Sequence, residues 1–68
     1  MMPRITLRAA RVNVGLTQQQ AAAQLGIDKS TVQNYETGKT IPNWAIVQKI
    51  SDLYKIPTDC LIFGRDSA

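Results

Sequence analysis

Lys29, Ser30, Gln33, Asn34 and Thr37 recur at helical spacing and form a face of small polar donors and acceptors with no carboxylate among them. That chemistry suits the edges of DNA bases beside a phosphate backbone. Lysine donates to guanine O6 and N7, and asparagine pairs bidentately with adenine. A merely solvated helix face more often carries glutamate. Thr31, adjacent to this face, is expected to share base and phosphate contacts with Gln33. Other chemistries are poorly served. The chain has no histidine and one cysteine, so His-containing zinc spacings, His-based catalysis and an internal disulfide are all excluded. Cys60 has no base to activate it and reads as a small apolar contact. No enzyme activity, metal, cofactor or small-molecule ligand is expected.

The polar face needs a helix beneath it, and the sequence writes two. Thr17 with Gln20 three residues later fits a capping box, and Leu16 and Ala21 are placed for a hydrophobic staple. Gln18 to Leu25 holds three alanines and no β-branched residue, which favours helix. Gly26 supplies the left-handed residue that ends it. Asp28 is an N-cap for a second helix over 28–37, with Ile27 and Val32 as its staple. Val32, Tyr35 and Glu36 share its inward side, and Gly38 closes it.

Two short helices at this spacing resemble the Cro/C1-type helix-turn-helix family, the lambda-repressor-like DNA-binding domains. Arg11, Gly15, Leu16, Thr17 and Gln18 carry the pattern Arg-x-x-x-Gly-Leu-Thr-Gln. Ala22, Gly26, Val32, Tyr35, Glu36, Gly38 and Lys39 continue it in register, and Pro42, Val47, Ile50 and Ile56 extend it toward the C-terminus. The resemblance runs over about residues 4–64. It implies an all-α fold, a compact five-helix domain whose second and third helices form the helix-turn-helix. It also implies that Arg11 pairs with Glu36, tying the first helix to the third. Gln18, the first residue of helix two, is expected to face a phosphate at that helix's positive end and, by the resemblance, to buttress the recognition helix. Lys39 and the backbone N–H of Thr40 are expected to clamp the phosphates flanking the groove.

Composition fits a single small binding domain over residues 1–68, with a frayed tail at 65–68. Sixty-eight residues at 44% hydrophobic content can close one modest core. The net charge of +3 is unevenly placed. Residues 1–40 hold five cations against two carboxylates, whereas residues 41–68 hold three against three. The excess lies in the half with the helix-turn-helix. No apolar run approaches the roughly 18 residues of a membrane span, and a cytoplasmic location is expected.

Three more helices are expected: one over Thr6 to Asn13, one from an Asn43 cap to Tyr54, and a short one over Thr58 to Phe63 ended by Gly64. The first offers Leu7, Val12 and Val14, with Ile5 before it, to the core. The fourth offers Trp44, Val47, Ile50, Ser51 and Tyr54 at helical spacing; for Trp44 and Tyr35 the core is preferred over base stacking. Ile46 and Leu53 form a second stripe, assigned to packing within the chain. Pro57 replaces the usual small polar cap, leaving open whether Thr58 caps the fifth helix or Pro57 sits in its first turn. One such motif reads only a few base pairs. The expected assembly is therefore a homodimer on an inverted repeat of double-stranded DNA, with Pro57, Thr58, Cys60 and Phe63 near the axis. The expected function is transcriptional regulation, with repression preferred. The alternative is an antitoxin that binds DNA and a toxin protein; a pure protein adaptor would have no reason to keep the polar face free of acid.

Overall fold

The computed structural model describes residues 4–63. Four α-helices and a minimal parallel strand pair surround one core: β1 (Ile5–Thr6), α1 (Leu7–Asn13), α2 (Gln18–Leu25), α3 (Lys29–Thr37), α4 (Trp44–Tyr54), a 3₁₀ turn (Thr58–Cys60) and β2 (Leu61–Ile62). Gly64 and the tail at 65–68 lie outside the described residues.

Local signals account for the helix boundaries. The Thr6 hydroxyl accepts from Ala9 N–H at 3.1 Å and starts α1. At α2 the capping box is complete: Gln20 N–H donates to the Thr17 hydroxyl at 3.1 Å, and Thr17 N–H donates to the Gln20 side chain at 2.9 Å. Asn43 caps α4 by accepting from Ile46 N–H at 3.0 Å. Asp28 occupies the N-cap of α3 but makes no capping bond; its carboxylate accepts from the Ser30 hydroxyl at 3.3 Å instead. Gly26 ends α2 at φ 73°, in the region only glycine enters without strain.

The core is formed by Leu7 and Ala10 of α1, Ala21 and Leu25 of α2, Ile50 and Tyr54 of α4, and Leu61 of β2. Leu16, Ile27, Tyr35, Ile46 and Leu53 pack half-buried against it. Two expected core residues face outward. Val12 is 58% exposed and Trp44 62% exposed. Trp44 is the first residue of α4, and the apolar side of that helix is carried by Val47, Ile50 and Tyr54 without it.

The expected fifth helix is absent. Pro57 takes the N-cap position with no side-chain bond, and a single 3₁₀ turn closes through Cys60 N–H to Pro57 C=O at 2.9 Å. Leu61 then becomes extended, and Leu61 and Ile62 pair in parallel with Ile5 and Thr6. The segment is too short to sustain a helix alone. A strand register gives its backbone partners and buries Leu61 at 3% exposure. The fold is therefore mostly helical, with four helices and a strand pair.

Candidate nucleic-acid interface

α2 and α3 meet across Gly26 and make the most extensive helix contact of the domain. Polar side chains set their angle. Arg11 on α1 donates from Nε to Glu36 Oε2 at 2.7 Å and from Nη1 to the Leu16 carbonyl at 2.7 Å. A third bond, Nη2 to Glu36 Oε1, is longer at 3.4 Å. Gln18 at the head of α2 donates to Glu36 Oε1 at 3.0 Å and accepts from Gln33 Nε2 at 3.2 Å. Both charged side chains are deeply buried, with 10% of the Arg11 side chain and 5% of the Glu36 side chain exposed. Arg11 thus joins α1, the turn before α2 and the inward side of α3. The planar guanidinium makes that possible, since it donates in several directions at once.

Tyr54 of α4 lies beneath this pair. Burial pushes its phenol up to about 12; the negative charge of Glu36 adds to the rise, and Arg11 opposes it.

Above the network lies an open cleft of about 760 Å³ between α1, the head of α2 and α3. The network residues Arg11, Gln18, Gln33 and Glu36 line it, and exposed Arg8 and Lys29 add positive charge. Lys29, Ser30 and Gln33 are exposed, whereas Thr31 and Asn34 are half-buried. Lys39 and Thr40 are exposed on the loop after α3.

Two expected contacts differ in detail. The Gln18 side chain turns inward to Glu36 and Gln33, the buttressing that the resemblance implied, and its place at the positive end of α2 leaves the backbone N–H toward an incoming anion. The backbone N–H of Thr40 donates to the Asn34 carbonyl at 3.3 Å, which that of Lys39 also reaches at 2.9 Å. These bonds close the end of α3, and only side chains of Lys39 and Thr40 remain for a phosphate. Arg8 was not among the expected contacts. Its signal was present, a second arginine three residues before Arg11 on the same helix, but only the fold places it across the cleft from α3.

The motif pattern of the helix-turn-helix family matches residues 7–59. This chain belongs to the Cro/C1-type helix-turn-helix family. It is 38% identical over 60 residues to the HTH-type transcriptional regulator ImmR of Bacillus subtilis (strain 168), covering 88% of this chain and 46% of that protein. It is 32% identical over 60 residues to the HTH-type transcriptional activator BcrR of Enterococcus faecalis, covering 88% of this chain and 29% of that one. A third similarity, 34% over 58 residues, is to the SPbeta prophage-derived uncharacterized HTH-type transcriptional regulator YonR of B. subtilis (strain 168), covering 85% and 54%. The chain therefore spans about half or less of the relatives it matches. In helix-turn-helix domains generally, the second helix of the motif docks in the major groove of double-stranded DNA. Among the described residues no helix is long and apolar enough to cross a membrane.

Proposed function

We propose that this chain is a DNA-binding transcriptional regulator that lays α3 in the major groove and acts as a repressor. The observation that carries the reading is the division of labour on α3. Its inward side is fixed by Glu36 to Arg11 and Gln18, while Lys29, Ser30 and Asn34 stand on the other sides of a helix that cannot rotate. Rigid presentation of a few polar groups is what base readout needs. Lys29, Ser30 and Asn34 are assigned to base edges, with Thr31 and Gln33 sharing base and phosphate contacts. Gln18 (through its backbone), Arg8, Lys39 and the Thr40 hydroxyl are assigned to flanking phosphates. Repression needs only occupancy of a site, which a docking domain supplies; activation needs a further contact with the transcription machinery.

A single domain reads too few base pairs for a unique site, so two copies are placed on an inverted repeat with half-sites about one helical turn apart. The turn carrying Pro57, Thr58 and Cys60 is assigned near the axis. Phe63 is a weaker anchor than its sequence position implied, because it already packs half-buried against the core. Selection of bound duplexes from random DNA tests the whole reading. The expected product is a two-fold-symmetric site protected at low salt and transcriptionally silenced when placed at a promoter. Failure to enrich any sequence over bulk DNA would reject base readout.

A further inference from the structure

The polar network behind α3 has a direction, and it runs out to Gln33. Glu36 is a carboxylate paired with the Arg11 guanidinium, so its oxygens accept and do not donate. Gln18 must therefore turn its amide N–H toward Glu36 Oε1, which it reaches at 3.0 Å. Its own Oε1 is left to face Gln33, and an amide oxygen only accepts. Gln33 meets it with Nε2 at 3.2 Å. Turning either amide over would set oxygen against oxygen, at Glu36 or at Gln18. One buried ion pair thus fixes the orientation of two amides, the second of them exposed on α3.

The last group of the series is the one free to bind. Gln33 lines the cleft with Arg8 and Lys29. Among the described residues its side chain makes only the bond to Gln18, which leaves Oε1 and the second N–H for a ligand. Successive donation from Gln33 through Gln18 to the Glu36 charge also polarises the amides, which makes Gln33 Oε1 the stronger acceptor.

We propose that Gln33 is a specificity-determining residue that accepts from the N6 amino group of an adenine in the major groove, and that Gln18 is the positioning residue that forbids the reverse orientation. The proposal rests on the DNA-docking reading above and narrows a shared base or phosphate contact to one base. Adenine offers an amino donor at N6 beside an acceptor at N7, which match the oxygen and the remaining N–H of the amide. Guanine offers two acceptors there, and thymine an acceptor and a methyl group; neither gives Oε1 a proton. Cytosine has the amino donor but nothing for the second N–H. A phosphate would use the N–H alone and leave Oε1 facing an anion.

Selection from random DNA is run with the full chain and with Gln33→Ala. The expected result is one A·T pair whose preference falls roughly 5- to 150-fold in the variant, with the other positions kept. That adenine is then replaced by unsubstituted purine, which lacks the N6 amino group. The loss of affinity should appear with the wild-type chain and be absent with Gln33→Ala. Gln18→Met, unbranched and of similar length, removes the amide that holds Gln33. It should relax the same pair and shrink the cost of purine, because a freed Gln33 amide can turn its N–H to a base oxygen. Circular dichroism verifies the fold of each variant, and Gln33→Ala, at an exposed position, gives its answer without the Gln18 variant. An equal purine cost for wild type and Gln33→Ala would overturn the base assignment, and so would a G·C pair at the affected position. If Gln33→Ala weakened every sequence alike and lowered the salt slope, Gln33 would belong to a phosphate. If Gln18→Met lowered affinity but kept the pair and the full purine cost, the positioning role would be overturned. A wild-type chain that enriched no sequence would remove the DNA reading beneath the proposal.

Discussion

Polar side chains fasten α2 to α3 beside the buried Ala22, Leu25 and Val32, whereas apolar ones join α4 to the rest of the domain. The first junction carries Gln18, Gln33, Glu36 and, from α1, Arg11, held at distances of 2.7–3.4 Å. The second carries Val47, Ile50 and Tyr54, with Ile46 and Leu53 at its margins. Directional bonds fix one rotation of a helix, because a displaced donor loses its partner. Apolar packing fixes a volume and accepts small adjustments. The helix proposed to present base-reading groups is thus held by the stricter kind of junction, and α4, which closes the core, by the more tolerant kind.

The largest expected effect comes from breaking the polar junction. Arg11→Ala strands the Glu36 carboxylate in a site where only 5% of its side chain is exposed, and should cost about 3–5 kcal/mol in urea unfolding. Ile50→Val, at the centre of the apolar junction, should cost only about 0.5–1.5 kcal/mol. Equal losses would show that the two junctions do not differ in kind.

DNA binding separates the same regions. Asn34→Ala should lose about 1–3 kcal/mol on the best site and relax preference at one base pair. Arg8→Ala and Lys39→Ala should each weaken all sequences alike and reduce the salt slope by about one. Lys49→Ala on α4 should leave both quantities unchanged. A slope that falls with Lys49 as much as with Arg8 would put α4, too, on the phosphates.

Tyr54 belongs to α4 yet feels Glu36, so it links the two junctions. Its phenol ionises near 12 in the fold against 10 in the open chain, and the folded state therefore holds the proton more tightly. The stability this provides is complete below pH 10 and is lost as pH rises toward 12. Absorbance titration should find one tyrosine resisting ionisation until that range, and Tyr54→Phe should flatten the alkaline loss of stability. A phenol that titrates at 10 would mean that the core opens there.

The smallest effects come from two helix ends of like conformation. Gly26 closes α2 at φ 73°, and Lys55 closes α4 at φ 59°, the one residue other than glycine with positive φ among those described. Gly26→Ala should cost about 1–2 kcal/mol, since a Cβ is strained there even though open space surrounds it. Lys55→Gly should gain up to about 1 kcal/mol by relieving the same strain. Thermal melts of the two variants should therefore move in opposite directions.

Legibility in the sequence divides along the same line. Thr17, Gln20, Gly26 and Gly38 act on neighbours three or four residues away, so the boundaries of α2 and α3 could be read from spacing alone. The start of α4 was likewise written by Asn43, and the Thr6 cap that starts α1 is just as local. What spacing could not give was decided over long distances. Leu61 and Ile62 carry no local mark of a strand; they become one because Ile5 and Thr6 arrive beside them. Trp44 has the right interval for the core stripe, yet it stands at the first position of α4 and is 62% exposed. In the candidate interface, residue types on α3 could be named, but the inward turn of Gln18 and the closing bond of the Thr40 N–H depend on tertiary geometry. Arg8 likewise became a cleft residue only when α1 settled against α3.

The parallel strand pair has a kinetic consequence. Ile5 meets Leu61 across almost the whole described chain, so closing this contact costs more loop entropy than any turn between successive helices, by about 0.6 kcal/mol for each doubling of loop length. Two residues of ladder return little against that cost unless the helices have already brought the ends together. The clasp therefore closes last in folding and opens first in the native state. When it opens, Leu61 lifts away from Leu7 and Ala10 and one wall of the core is uncovered, while the bonds from Arg11 and Gln18 to Glu36 stay intact. In hydrogen exchange, amides at residues 61–62 should lose protection well before those inside α2 and α3. The helix pair matures early and the chain is fastened around it afterwards.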